Sequence, residues 1–129
     1  MSLFGIGIDV VEVDRIQSSL DEFGSQFTNR IFTPLEQEYC DRQKNRELNY
    51  AARFAAKEAI AKAFGTGIGK SIGWRDMEIL RKDSGEPTVL LHGKGKELAE
   101  SLNIDEIKIS LTHAKHYAAA NAVILTRIQ

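Results

Sequence analysis

The sequence predicts an α+β fold with a mainly antiparallel sheet and packed helices. Stretches with the two-residue period of a strand stand at both ends of the chain, and helical patterns lie between them. Strands and helices do not alternate as regular βαβ units, which argues against a parallel sheet. Since no linker, repeat or low-complexity tract divides the 129 residues, we expect a single domain over 1–129.

The chain opens with a strand followed by a helix. Residues 4–11 alternate between an apolar face and a face that carries glycines and Asp9. Helical spacing follows over 14–23, with apolar residues at Ile16, Leu20, Phe23 and Phe27. Gly24 is expected to end or bend this helix, and Asp14 is the stronger candidate for its N-cap.

Two further helices have clear boundary signals. Thr33 is the expected N-cap of a helix over 34–43 with proline at its first position, and Glu36 completes a capping box. The next helix, over about 47–64, is rich in alanine, which has the highest helix propensity. Gly65 is the expected C-terminal stop.

The last part of the chain is predicted as strands with one more helix. Short strands over 76–81 and 88–91 are joined by a Gly- and Pro-containing turn. A short helix over 94–102 is followed by strands over 106–112 and 117–126.

Composition excludes several classes of protein. The 17 basic and 18 acidic residues nearly cancel, so the general basic surface of a nucleic-acid-binding protein is not expected. The single cysteine, Cys40, excludes an intramolecular disulfide and a multi-cysteine zinc site, and it shows no pattern of activation. No apolar run has the roughly 20 residues of a membrane helix, and the N-terminus lacks the pattern of a secretory signal. These features predict a soluble, cytoplasmic protein without a membrane partner.

Two glycine-rich segments resemble nucleotide-binding loops but fail in spacing. The segment 65–71 lacks the first glycine of a Walker A loop, because that position is Phe64. Its backbone N–H groups are still expected to be able to approach a phosphate. Gly5 and Gly7 begin a dinucleotide fingerprint that Val10 does not complete. For these two glycines, the functional alternative is that they leave room beside the Asp9 carboxylate.

Asp9 and Glu58 are the carboxylates with the least obvious structural task. A cap or turn role competes for Asp9. For Glu58, the competing interpretation is a surface ion pair with Lys62, worth about 0.3–0.5 kcal/mol. Three of its four neighbours one turn away are nevertheless apolar: Phe54, Ala55 and Ala61. Arg53 and Lys57 form a cationic row beside Glu58, with a solvated face as the alternative.

Two carboxylates are too few for a calcium cage made by protein alone. They suit Mg²⁺, which keeps waters and completes its shell with substrate phosphate oxygens. Cations nearby would hold the remaining phosphate charge.

The polar residues near the C-terminus carry a weaker signal. Ser110 and Thr112 share one face of a strand, and His113 stands at its end, which is also the pattern of a hydrogen-bonding strand edge. The spacing of His113 and His116 would need a helix to bind zinc, and this region is predicted as a strand junction. His92 is predicted to be a surface residue.

Four motifs, in this order, resemble those of the holo-acyl-carrier-protein synthases, the short class of 4′-phosphopantetheinyl transferases. They are GIGIDVVE at 5–12, FTPLE at 32–36, RFAAKEA at 53–59 with the extension KAFGTG at 62–67, and SLTH at 110–113. The resemblance runs nearly end to end and implies the 4′-phosphopantetheinyl transferase-like fold.

The resemblance implies a reaction. The phosphopantetheine arm of coenzyme A moves to a serine of apo acyl carrier protein, and adenosine 3′,5′-bisphosphate leaves, in support of fatty acid biosynthesis. Such a transfer depends mostly on positioning and on charge neutralisation.

The resemblance also implies site residues. Asp9 and Glu58 hold Mg²⁺, and Lys62 binds the diphosphate; these three form the catalytic set. Either Glu58 or a metal-bound water takes the serine proton. Coenzyme A contacts are implied for the following residues: Arg53, Lys62, Gly65, Gly67, Thr112 and His113.

By the same resemblance, the protein is a homotrimer whose active sites are shared between neighbouring subunits. Arg15, Phe27 and Arg30 match the family's docking surface for the acidic carrier protein. Asp21 and Glu22 depart from a docking helix that is more basic in some relatives.

Two other classes of function compete with the transferase. A coenzyme A-binding module without catalysis is disfavoured because Asp9, Glu58 and Lys62 are all present. A purely structural protein with solvated charges is disfavoured by the apolar neighbours of Glu58. Magnesium-dependent stabilisation by coenzyme A would discriminate against this last class.

Overall fold

The computed structural model describes residues 1–127 and contains the predicted elements in the predicted order, with one additional helix, Ser25–Ile31, that was not predicted. A 3₁₀ turn, Trp74–Asp76, precedes the second strand. The strands and helices are β1 Ser2–Glu12, α1 Val13–Phe23, α2 Ser25–Ile31, α3 Pro34–Asp41, α4 Arg46–Phe64, β2 Met77–Arg81, β3 Pro87–Leu91, α5 Gly93–Ser101, β4 Ile104–His113 and β5 Tyr117–Thr126.

The sheets are antiparallel, which confirms the predicted α+β class. β1, β5 and β4 form a three-stranded sheet in that order, and β2 pairs with β3 as a separate hairpin. Within the larger sheet, Asp9 stands opposite Ala120, and Ala120 stands opposite Leu111. Side chains at paired positions lie on the same face, so this row marks the face that α4 covers.

The predicted helix boundaries hold in most places. The Thr33 hydroxyl accepts from the Glu36 N–H, and Glu36 Oε1 accepts from the Thr33 N–H at 2.8 Å, which completes the capping box. Gly65 ends α4 in the left-handed region, with φ 84°.

Two expectations about the first helix need correction. The N-cap position of α1 is Glu12, which makes no side-chain cap, and Asp14 lies inside the first turn. The residue after the helix, Gly24, has φ 54° and separates α1 from α2, so Phe27 belongs to the second helix.

The glycines of β1 allow a close approach of α4. A Cβ atom at Gly5 would overlap the carbonyl oxygen of Ala63, and one at Gly7 would overlap that of Ala59. The room that these glycines leave is therefore occupied by the backbone of α4, whereas it was expected to lie beside the Asp9 carboxylate. Because strand and helix touch along this line, Asp9 on β1 and Glu58 on α4 are brought to the same surface.

α4 contributes to both hydrophobic clusters of the molecule. Its second half packs against the three-stranded sheet and the hairpin, around Ile60, Met77 and Ile124. Its first half packs against α1 and α3, around Ile16 and Tyr50. The alanines that favour this helix also let it be surrounded on nearly all sides.

The face of the three-stranded sheet that points away from α4 carries exposed apolar side chains. On β1, Ile6 is 67 % exposed, Ile8 is 65 % exposed and Val10 is 60 % exposed. We call this surface the open sheet face; it also includes the neighbours of these residues on β5 and β4, such as Asn121 and Ser110, which hydrogen-bond to each other.

Candidate active site

Asp9, Lys62 and Glu58 lie together where β1 meets the second half of α4. Lys62 Nζ donates to Asp9 Oδ1 at 2.9 Å and to the carbonyl oxygen of Ile8 at 3.1 Å. The Asp9 side chain is only 16 % exposed, whereas that of Lys62 is 51 % exposed. The competing interpretation of Glu58, a surface ion pair with Lys62, is therefore not what forms, because Lys62 pairs with Asp9.

Asp9 and Glu58 open into a groove between β1, α1, α2 and α4. The groove has a volume of about 680 Å³ and is lined on its other sides by polar and aromatic side chains, including Arg15, Phe27 and Phe54. Two of the three predicted docking residues thus share one groove with both predicted metal ligands.

Glu58 is held in an unfavourable environment for its charge. Burial raises the pKa of the Glu58 carboxyl, the negative charge of Asp9 raises it further, and Lys62 lowers it in part. Two carboxylates that repel each other in a partly buried groove are stabilised by a cation between them.

The donor set fits a hard divalent cation that retains other ligands. Within residues 1–127, no group of three or more His, Cys, Asp or Glu side chains is arranged to hold a metal. Asp9 and Glu58 supply two carboxylates, which is what Mg²⁺ takes from a protein when substrate phosphates and waters complete its shell.

Lys57 does not belong to a cationic row beside Glu58, nor is it solvated. It is fully buried, and Nζ donates to Glu36 Oε1 at 2.6 Å and to the carbonyl oxygens of Ile31 at 2.7 Å and Trp74 at 3.1 Å. Glu36, equally buried, also accepts from the Ile79 N–H at 2.8 Å. The expectation was wrong because the partner of Lys57 is distant in sequence.

Arg53 is not solvated either. It is 2 % exposed, and its guanidinium carbon lies 4.3 Å from the centre of the Tyr39 ring. In the portion of the chain covered by the structure, its buried Nε has no hydrogen-bond partner. Cation–π contact thus holds the charge without a carboxylate. Its contact with coenzyme A stays a prediction.

His92 is half-exposed and also contributes to structure, so describing it as a surface residue was incomplete. Its Nε2 lies 3.0 Å from Oε1 of the buried Glu78, which also accepts from the Thr33 hydroxyl. Burial acts to raise the pKa of Glu78, but these hydrogen bonds and the charges of His92 and Lys57 together lower it.

The glycine loop after α4 uses its backbone donors internally. The N–H groups of Gly65 and Gly67 donate to carbonyl oxygens at the end of α4, that of Thr66 does the same, and that of Gly69 donates to Ile72. These four N–H groups are therefore not available to a phosphate. The predicted contact of Gly65 and Gly67 with coenzyme A, if it forms, uses other atoms.

Thr112 and Asp9 do not share a surface in a single chain. Thr112 is paired through Ala119 with Val10, so it lies on the open sheet face, opposite to Asp9. His113, the next residue of β4, lies on the face of Asp9 and is exposed at the end of the strand. The contact of these two residues with coenzyme A stays a prediction.

Arg30 lies beside a second groove, next to the first. Both grooves are lined by Ser19 and Phe27, and the second also includes Arg30, Phe23 and Trp74. The Trp74 ring stacks on Phe54, with centroids 4.8 Å apart. The three docking candidates thus border one continuous surface.

The aromatic wall of this surface, formed by Phe54, Trp74 and Tyr117, was not predicted from the sequence. Phe54 was seen only as an apolar neighbour of Glu58, and Trp74 and Tyr117 were not singled out, although Phe54 and Tyr117 line the groove. Phe54 stands one helical turn before Glu58, so the 3.6-residue period was the available signal. No such signal marked Trp74, because its contact with Phe54 joins residues that are distant in the sequence.

Comparisons with known proteins identify the family of this chain. A sequence model described as "4′-phosphopantetheinyl transferase superfamily" matches residues 5–122. The chain is 43 % identical over 122 residues to a protein of Koribacter versatilis named holo-[acyl-carrier-protein] synthase, covering 95 % of this chain and 98 % of that protein.

Solved structures give the same result. The crystal structure of holo-[acyl-carrier-protein] synthase from Neisseria meningitidis superposes with a TM-score of 0.89 at 32 % identity, covering 95 % of this chain and 98 % of that one. The Helicobacter pylori holo-[acyl-carrier-protein] synthase in complex with coenzyme A gives a TM-score of 0.83 at 32 % identity, with coverages of 92 % and 98 %. The protein described here therefore belongs to the 4′-phosphopantetheinyl transferase superfamily.

Proposed function

We propose that this protein transfers the 4′-phosphopantetheine arm of coenzyme A to a serine of apo acyl carrier protein in a magnesium-dependent reaction. The observation that carries the proposal is the pair of carboxylates, Asp9 and Glu58, in a groove whose rim holds Arg15, Phe27 and Phe54. Relatives named holo-[acyl-carrier-protein] synthase, one of them bound to coenzyme A, support it.

In the reaction, the serine oxygen forms a bond to the phosphorus attached to the pantetheine arm. The bond from that phosphorus to the bridging oxygen breaks, and adenosine 3′,5′-bisphosphate leaves with that oxygen. Charge gathers on the leaving phosphate, so a cation placed there lowers the barrier. Lys62, which pairs with Asp9 at the groove and has a half-exposed side chain, is proposed to be this cation.

Asp9 and Glu58 would hold Mg²⁺ in this reaction. When bound, the ion supplies neutralisation of the diphosphate charge. Burial and the negative charge of Asp9 both raise the pKa of Glu58, which supports the assignment of the two carboxylates as a cation site. Glu58 is one candidate acceptor of the serine proton.

The protein is proposed to act as a homotrimer with shared sites. A monomer would leave the apolar side chains of the open sheet face in water. Thr112, expected to contact coenzyme A, lies on this face, whereas Asp9 lies on the other face of the same sheet. A second chain seated on this face would cover the apolar side chains and complete the nucleotide site.

The acceptor is proposed to be an acidic carrier protein in the cytoplasm. Arg15 and Arg30 flank the two neighbouring grooves, and Phe27 lies in both. Positive charge around an apolar centre favours docking of an acidic, amphipathic partner and raises the association rate. No helix within residues 1–127 is long and apolar enough to span a bilayer.

The metal assignment is tested by turnover of Asp9→Asn and Glu58→Gln at varied Mg²⁺ concentration. We expect each variant to lose more than about 100-fold in kcat/KM, since a ligand to the metal is lost while the charge change leaves the fold intact. The matched control is Glu38→Gln, which removes an exposed carboxylate on α3 and should retain full activity. Full activity of both site variants would refute the assignment.

A coenzyme A-binding module without catalysis is the remaining alternative. It predicts binding of coenzyme A by the wild-type protein, measured by calorimetry, with no transfer to any of several apo carrier proteins. Transfer to any carrier protein excludes it.

A further inference from the structure

We propose that Lys57 is a positioning residue for the acceptor side of this reaction. By binding the carbonyl oxygens of Ile31 and Trp74, it fixes the carrier-protein surface relative to Glu58. This inference rests on the proposed function, because it concerns the surface on which the carrier protein is expected to dock.

The hydrogen-bond geometry at the Lys57 ammonium group supports this inference. Lys57 Nζ has three acceptors, one for each hydrogen: Glu36 Oε1 at 2.6 Å, the Ile31 oxygen at 2.7 Å and the Trp74 oxygen at 3.1 Å. With all three bonds made, the position of the ammonium group is fixed. The side chain is fully buried, so no water competes for these bonds.

The two backbone acceptors of Lys57 belong to segments of the proposed docking surface. Ile31 is the last residue of α2, the helix that carries Phe27 and Arg30. Trp74 begins the 3₁₀ turn, and its ring stacks on Phe54. Lys57 therefore links α2, which carries two docking candidates, and Trp74 of the aromatic wall to α4. On α4, Lys57 is the residue next to Glu58.

Each of the other contacts at this junction joins fewer of its segments than Lys57 does. Arg75 Nη1 donates to the Asn29 oxygen at 3.2 Å, but this bond is exposed to water and connects only the turn to α2. The stacking of Trp74 on Phe54 joins only the turn to the helix of Glu58. Among the hydrogen bonds described within residues 1–127, only those of Lys57 join both segments to that helix. A shift of even about 1 Å between acceptor and metal ligand is expected to impair transfer strongly.

The test is a double variant, Lys57→Met with Glu36→Gln. It removes both charges of the buried pair at similar volume, which proteins often tolerate, whereas removal of one charge leaves the other unpaired. The matched control is Glu78→Gln, which also removes a buried carboxylate charge nearby, but whose hydrogen bonds go to Thr33 and His92.

The first readout needs no turnover. Trp74 is the only tryptophan of the chain, so acrylamide quenching of fluorescence reports its shielding. We expect the quenching constant to rise about twofold in the double variant, because the ring is released from Phe54. The control should match the wild type. Unchanged quenching in the folded double variant would overturn the proposal.

The second readout is kinetic. We expect the KM for the carrier protein to rise about tenfold, with the KM for coenzyme A within about twofold of the wild type. A merely structural role predicts a fall in kcat with the folded fraction and both KM values unchanged, and that result would overturn the proposal. If the wild-type protein is inactive, the proposed function is wrong. The quenching result would still decide whether Lys57 fixes the position of Trp74.

If circular dichroism shows that the double variant does not fold, Trp74→Ala takes its place. This change removes only the half-buried ring that Lys57 is proposed to hold. We expect the same selective rise in the carrier-protein KM. An unchanged value would overturn the proposal.

Discussion

Lys62 is the residue on which the electrostatics of the site depend. Its ammonium group neutralises Asp9 directly, and it offsets in part the rise in the pKa of Glu58. A cation that binds Asp9 must compete with this group. In the proposed reaction, the same ammonium group gains a second negative partner when the diphosphate binds, so its two interactions belong to different stages.

The change Lys62→Met separates these two interactions. We expect metal affinity to increase in the absence of substrate, because the competing ammonium group is gone, while kcat falls by about 100-fold. Mn²⁺ binding followed by electron paramagnetic resonance measures the first effect, since Mn²⁺ prefers the same oxygen ligands as Mg²⁺. Lys82→Met, at an exposed position of the hairpin, is the control. Weaker metal binding in Lys62→Met would contradict this account.

Cys40 gives a prediction about chemical reactivity. Burial raises the pKa of its thiol to about 12, although the positive charge of Arg53 acts in the opposite direction. The thiolate is the reactive form, so we expect negligible labelling by a disulfide reagent at pH 8 in the native protein. Complete labelling in guanidinium chloride provides the control. Rapid native labelling would show that α3 opens from α4.

At the scale of elements, the contact between β1 and α4 brings the two carboxylates together. Gly7 allows this contact, because a Cβ atom there would overlap the backbone of Ala59. The sequence motif that resembled a nucleotide loop thus has a packing role.

Gly7→Ala is expected to destabilise the protein by about 1–3 kcal/mol, because β1 and α4 must move apart. Urea unfolding followed by circular dichroism measures this change. Gly69→Ala is the matched control, since a Cβ atom there meets nothing within 4 Å and the backbone is not left-handed. Equal stability of the two variants would contradict the proposed close approach.

Features that depend on near neighbours were predictable from the sequence. The capping box at Thr33 and Glu36, the stop at Gly65 and the alternation of β1 each depend on a few adjacent residues, and each is confirmed. The carboxylates Asp9 and Glu58 were also found, because local pattern left both without an obvious structural partner.

The polar partners could not be predicted, because they are distant along the chain. Lys57 pairs with Glu36 across 21 positions, and Lys62 pairs with Asp9 across 53 positions. Helical periodicity predicts which residues share a face of α4, but it does not identify what packs against that face. Lys57 and Arg53 were therefore expected in a cationic row beside Glu58 or on a solvated face, whereas both are buried.

For the molecule as a whole, the open sheet face predicts self-association. Ile8 on β1 is paired with Asn121 on β5, and the Asn121 side chain accepts a hydrogen bond from Ser110 on β4. A charge placed here would have to be buried in the proposed trimer, at a cost that association does not offset.

Ile8→Arg should therefore convert a trimer to a monomer in size-exclusion chromatography with light scattering. Leu35→Arg, at an equally exposed apolar position on α3, should leave the trimer intact. A wild-type protein that is monomeric at all concentrations would contradict the shared site, and so would a trimer that persists in Ile8→Arg.

The central claim, phosphopantetheine transfer, is tested most directly by the mass of the acceptor. Apo acyl carrier protein is incubated with this protein and coenzyme A, with Mg²⁺ or with EDTA, and its mass spectrum is recorded. We predict a gain of about 340 Da, the mass of the transferred group, only when free metal is present. No gain on any of several carrier proteins, despite binding of coenzyme A, would contradict the claim.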